Sequence, residues 1–316
     1  MFEFQLQTPV AYVIFNRPSQ TRLTFAAIRA QKPLKLFLIA DGPRYGHPTD
    51  AERCKEVQEI VSNIDWPCEV FRNYSDKNLG CKLRVTTGID WVFQQVDQAI
   101  ILEDDCLPHP DFFNFCEKLL NKYKDDNRIS VITGDNFQQG NRRGNYSYYF
   151  SIYPHCWGWA TWKRSWLIND SSISFWPRFK VSKQWAELLI DKVERSYWEG
   201  IFDRIHYCQF ESTWDYQWLA SVWYHGGLTA TPNVNLVSNI GFGMDGTHTI
   251  TQKEQDGLPT CSLGPLTHPT DVAKDQIADR YVFDHEFGGY WHRMPRRLLT
   301  LPLRILRKIY RFCLTN

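Results

Sequence analysis

Short apolar runs alternate with helical repeats along the first 133 residues. Residues 10–15 (Val-Ala-Tyr-Val-Ile-Phe) read as a strand buried on both faces, and a helical pattern follows to about Ala30. A second run, Leu36–Ala40, ends at Asp41-Gly42-Pro43, and a helix is expected from about Asp50 to Asn63. A short strand near Cys68–Arg72, a helix from about Lys82 to Gln95 and a strand ending in Glu103-Asp104-Asp105 complete the first ~105 residues. Strands separated by 10–15-residue helices specify a mostly parallel sheet, so this half reads as a nucleotide-binding α/β unit. A helix over Pro110–Lys124 and a strand over Arg128–Thr133 continue it. Beyond them the pattern changes. Tyr146–Trp166 is aromatic and irregular, Ser212–Trp223 is helical, and the glycines of 235–249 suit a loop that closes over a ligand.

Composition is that of a globular enzyme, with 43% hydrophobic and 22% charged residues. The 13 Trp exceed what a core alone needs and suit stacking on sugars or bases. Nine cysteines without a C-x-x-C pair read as reduced thiols, and neither a signal peptide nor an 18-residue apolar stretch occurs. A cytoplasmic protein is therefore expected, and nothing in the chain points to nucleic acid. Residues 293–316 hold seven of the 36 bases and no acid, leaving the remainder at −6. Bases and apolar residues there mix at helical spacing. Such a helix suits the anionic inner face of a membrane, or packs on the body with its bases in water.

The chemistry centres on Glu103-Asp104-Asp105. Three acids at the end of an apolar strand need neutralisation or a cation, and oxygen-rich clusters favour Mn²⁺ or Mg²⁺. Asp105 is the expected metal ligand, Asp104 reaches a sugar or ribose hydroxyl, and Glu103 is the least essential of the three. Arg17 follows the first strand, where a diphosphate would lie. Asp41 suits a uracil imino hydrogen or plain turn chemistry. Lys82, at a helix entry, suits a phosphate or merely a surface loop. Trp157-Gly158-Trp159 offers flat walls with close backbone approach, so at least one of Trp157 and Trp159 is expected to line the site. Asp215 either closes a helix N-terminus from the Ser212-x-x-Asp215 box or serves as a general base between Trp214 and Trp218.

Together these residues resemble the inverting glycosyltransferases of the GT-A fold, N-acetylglucosaminyltransferase I and related bacterial sugar transferases among them. The resemblance covers about residues 8–250 and is most specific at 99–113. It implies a Rossmann-like GT-A domain over 1–250, with a nucleotide-binding half (1–105) and an acceptor half (106–250), followed by an extension over 251–316. It further implies Mn²⁺ at Asp105, a nucleotide sugar contacted by Arg17 and Asp41, Asp215 as catalytic base, and a metal or phosphate contact from His248. A UDP-sugar donor and a glycan or lipid-linked acceptor at the inner membrane face follow from it. The alternatives are a sugar-phosphate nucleotidyltransferase and a non-enzymatic carbohydrate- or membrane-binding protein. Against the former stands the lack of a glycine after the first strand, where Asn16-Arg17-Pro18-Ser19 lies.

Overall fold

The computed structural model describes residues 5–208, 213–241, 257–293 and 305. The first half follows the apolar runs closely: β1 (Val10–Ile14), α1 (Pro18–Gln31), β2 (Lys35–Ala40), α2 (Asp50–Ser62), β3 (Glu69–Tyr74), α3 (Gly80–Phe93) and β4 (Gln98–Glu103). Then come β5 (Cys106–Pro108), α4 (Pro110–Lys122), β6 (Ile129–Thr133), β7 (Tyr148–Ser151) and β8 (Trp159–Trp162). The helices α5 (Lys163–Trp166), α6 (Trp176–Lys180), α7 (Lys183–Leu188), α8 (Lys192–Cys208) and α9 (Asp215–Tyr224) follow. The remaining described elements are β9 (Leu228–Pro232), β10 (Val237–Asn239), α10 (Gln276–His285) and α11 (Gly289–His292).

Eight strands form one sheet in the order β3-β2-β1-β4-β8-β6-β9-β7, in which only β8 and β7 run against the rest. This is a Rossmann-like, mostly parallel α/β sheet. The chain winds outward from β1 to β3 and then returns to place β4 beside β1. Loops leaving the ends of β1 and β4 therefore diverge, and the crevice between them is a topological switch point. Every residue of β1 is buried, as are the four central residues of β4, because helices cover both faces.

The irregular, aromatic reading of 146–166 is corrected. That segment supplies β7 and the central strand β8, which pairs antiparallel with β4 and β6. A reversed strand this deep is reached through an aromatic connection rather than a βαβ crossover, so no strand–helix alternation announced it. The extension after 250 is tied to the body at several points of 257–293. Thr267 and Ser147 share three hydrogen bonds, Asp275 donates its N–H to the Phe150 carbonyl, and Asp279 accepts from Ser151 Oγ at 2.6 Å.

The expected basic helix of 293–316 lies outside the described residues except for Arg293 and Ile305. Arg293 pairs with Asp191 and Asp284, so its guanidinium is tied to the body. No helix among the described residues is long and apolar enough to cross a membrane.

Candidate active site

A cavity of about 440 Å³ opens at the switch point, bounded by the ends of β1, β2 and β4 and the first turns of α3 and α9. Its floor is an ion-pair fork. Arg17, the residue before α1, places Nη2 2.8 Å from Asp104 Oδ1 and Nη1 2.7 Å from Asp105 Oδ2. Asp104 is 2% exposed; its Oδ2 also accepts the Phe15 N–H, and its carbonyl accepts Thr24 Oγ1. Asp105 accepts the Ile240 N–H on its carbonyl, which ties the end of β4 to the segment after β10. Gly241 follows at contact distance. A Cβ there would lie 2.2 Å from Asp105 Oδ2 and 2.6 Å from Arg17 Nη1, so only glycine fits over the pair.

The fork leaves charge uncompensated. Burial, reinforced by Asp105 and Asp104, pushes the Glu103 carboxyl up to about 8. Burial also raises Asp104 to about 6 in spite of the Arg17 guanidinium beside it. Burial alone would depress Arg17, but the paired carboxylates hold its guanidinium firmly charged. Asp215 also lines the cavity, and its Oδ1 is buried without a hydrogen-bond partner. Arg17 thus pairs with two carboxylates, Asp104 and Asp105, in a cavity that Glu103 and Asp215 also line.

Asp41 is fully occupied. Its carboxylate accepts the N–H groups of Gly42, Leu79 and Gly80 and the Asn78 amide, four bonds at 2.9–3.0 Å. Four acceptances exhaust a carboxylate, so Asp41 positions the loop entering α3 and has no lone pair left for a base imino group. Lys82 belongs to the same helix start but is not part of the cavity wall. Of the two tryptophans, Trp157 lines the cavity while Trp159 is wholly buried, stacked on Trp214 at 5.6 Å. The expectation of Trp159 as a wall is corrected: it points into the core beneath β8. Trp157 is held by its N–H on Asp135 Oδ2 at 2.9 Å, and Gly158 behind it adopts φ +89 against Val237. Asp215 is the first residue of α9, behind the N-cap residue Trp214, whose side chain makes no cap hydrogen bond. The proposed partner of Asp215, Ser212, the 242–249 part of the expected closing loop, and His248 lie outside the described residues.

Sequence reasoning passed over two cavity cations. Arg84 is 5% exposed, donates Nη2 to the Asn73 carbonyl at 2.7 Å and leaves Nε buried without a partner. Among the described residues no carboxylate pairs with it. A signal existed: Arg84 falls on the buried stripe of α3 with Val85, Ile89 and Val92. Arg44, at the rim, is held by Asp50 at 2.7 Å and lies 5.4 Å from the Phe15 ring centre.

A divalent cation fits this donor set. Among the described residues no three His, Cys, Asp or Glu side chains converge on one point, but Mg²⁺ and Mn²⁺ commonly take one or two carboxylates and complete their shell with water and phosphate. The orphaned Asp215 Oδ1 and the surplus of acids over Arg17 are what such an ion would satisfy.

No protein-family model matches the chain, and no curated protein matches it. Among solved structures it is similar to 4-diphosphocytidyl-2C-methyl-D-erythritol synthase from Anaerococcus prevotii, at 9% identity and TM-score 0.30, covering 56% of this chain and 78% of that one. It is also similar to the inositol-1-phosphate CTP transferase from T. maritima, at 10% identity and TM-score 0.36, covering 72% and 86% respectively. These are names of nucleotidyl-transferring enzymes and neither is a glycosyltransferase. The expectation of an inverting glycosyltransferase is corrected accordingly. Such identities leave the reaction to be read from the cavity.

Proposed function

We propose that the chain is a divalent-cation-assisted nucleotidyltransferase that joins a nucleoside triphosphate to the phosphate of a phosphorylated sugar or polyol. The observation that carries this reading is the mixed charge of one cavity at the switch point. Arg17 and Arg84 offer donors to phosphate oxygens, and the surplus carboxylates of Glu103, Asp105 and Asp215 call for a cation beside them. A ligand bearing several phosphates together with a divalent ion meets both demands.

The acceptor's phosphate oxygen attacks the α-phosphorus, the bond from that phosphorus to the bridging oxygen of the β-phosphate breaks, and pyrophosphate leaves with the electron pair. A divalent cation held by Asp105 and Asp215 would neutralise the charge that develops on the leaving pyrophosphate. Arg17 stands where other nucleotide sites use a glycine-rich loop, replacing backbone donors with a guanidinium fork. Asp215 accepts a hydrogen bond from an acceptor hydroxyl against the flat face of Trp157, an orienting role that asks nothing of a base.

The test supplies each nucleoside triphosphate with Mg²⁺ and a panel of phosphorylated sugars and polyols, and reads pyrophosphate release and pyrophosphate exchange into the triphosphate. Acceptor-dependent release is expected. Release of a nucleoside diphosphate from a nucleotide sugar, without any pyrophosphate exchange, would overturn the reading. Asp215→Asn is expected to weaken acceptor binding about tenfold, the loss of a hydrogen bond to a charged group.

A further inference from the structure

We propose that Arg17 is a resident counter-ion which a divalent cation displaces from Asp105, and that the guanidinium donors released by this exchange take up a phosphate oxyanion. The inference deepens the nucleotidyltransferase reading and rests on it for the identity of the anion.

The two arms of the fork differ. Asp104, 2% exposed, is bound by Arg17 Nη2, by the Phe15 N–H and, through its carbonyl, by Thr24, so that arm is anchored. Asp105 has a side chain 15% exposed on the cavity; its Oδ2 accepts only Arg17 Nη1 among the described residues, and its Oδ1 accepts only the Cys106 thiol at 3.5 Å. A thiol at that length is a weak donor. Asp105 is therefore the carboxylate that gives up its arginine at least cost, while Asp104 keeps the guanidinium tethered.

Arg17 is itself under-bonded, since its Nε is buried without a partner. With Nη1 freed, two of its nitrogens lack acceptors, and an oxyanion supplies them. A second, independent observation points to an anion in the same cavity. Arg84 is 95% buried, lines the wall with Nε unpartnered, and has no carboxylate paired with it among the described residues. Cation and anion thereby bind together: the ion at Asp105 removes Arg17's acceptor, and the anion replaces it. Linkage makes the effect reciprocal. Gly241, in contact with both partners of the labile arm, is placed to follow the exchange.

The experiment titrates the full chain with Mn²⁺, following free Mn²⁺ by electron paramagnetic resonance without any nucleotide. Arg17→Gln removes the competitor and is expected to bind Mn²⁺ about tenfold more tightly than the wild type. Asp105→Asn is expected to lose that site. Because Arg17→Gln removes a buried ion pair, the wild type is also followed by ¹⁵N NMR of the arginine guanidinium groups during a Mg²⁺ titration. The Arg17 signal should shift with the same saturation as metal binding, and added sulfate should tighten Mg²⁺ binding severalfold. Mn²⁺ affinity in a folded Arg17→Gln no greater than in the wild type would overturn the proposal. So would Mg²⁺ saturation that leaves the Arg17 signal unmoved, or the absence of divalent binding in both proteins. None of these readouts needs turnover, so failure of the exchange and failure of the nucleotidyl reading are told apart.

Discussion

Two clusters of arginine and carboxylate stand at opposite ends of this chain's logic. Near the C-terminal end, Asp191, Arg280, Asp284 and Arg293 form a balanced square, with Arg280 and Arg293 each contacting both acids. It joins the residue before α8 to α10 and to the end of α11. At the switch point, Arg17 pairs with Asp104 and Asp105, while Glu103 and Asp215 line the same cavity with no guanidinium paired to them among the described residues. The first cluster is balanced, two guanidiniums against two carboxylates, which is what a structural tie needs. The second is anionic and incomplete, which leaves work for a ligand. Charge imbalance under burial, more than the number of charges, separates a binding site from a brace.

The largest contrast should come from removing the arginine in each. Arg17→Met leaves Asp104 buried without its partner and should cost about 3 kcal/mol in urea unfolding, reduced below pH 6 where Asp104 protonates. A loss below about 1 kcal/mol at pH 8 would break the comparison.

Gly241→Ala comes next. Its methyl group would displace both Arg17 and Asp105, at a cost of about 1–3 kcal/mol. Crystallography of the variant should show the labile arm open and the Asp104 arm closed.

Glu103→Gln should act in the opposite direction. A carboxyl pushed up to about 8 binds its proton in the folded state at pH values where the unfolded chain has released it. Stability from this group is therefore present at low pH and declines as pH rises from the ordinary carboxylate range toward 8. The glutamine variant should melt about 2–4 °C higher than wild type at pH 8 and flatten the slope of melting temperature against pH. A variant less stable at pH 8 would show that Glu103 is held ionised by an interaction absent from this picture.

Arg280→Gln should give the smallest effect, about 0.5 kcal/mol, because the side chain is 47% exposed and its partners keep Arg293. The loss should shrink further in molar salt.

The pattern of legible and illegible features follows from range. Strands β1, β2 and β4 and helices α1 to α4 were readable because each carries its own apolar period, and Glu103-Asp104-Asp105 stood out because acids interrupt such a run. Asp41 was also visible, but its saturation by Leu79, Gly80 and Asn78 depends on a loop nearly forty residues away. Trp157 and Trp159 look equivalent in sequence. Their separation into cavity and core follows from β8 inserting between β4 and β6, with Gly158 turning the chain between them. Arg84 was overlooked because a single charge on an apolar stripe is legible only once the stripe's neighbours are known.

Local sequence by itself determined that this is an α/β chain with carboxylates at the end of its fourth strand and a cation after its first, since hydrophobic periodicity and strand-end polarity are short-range properties. Only the tertiary structure decided how these groups spend their charge. It placed Arg17 across Asp104 and Asp105, closed Asp41 on α3, buried Trp159 and left Asp215 and Arg84 with unanswered atoms, because burial and pairing are set by what other segments bring alongside.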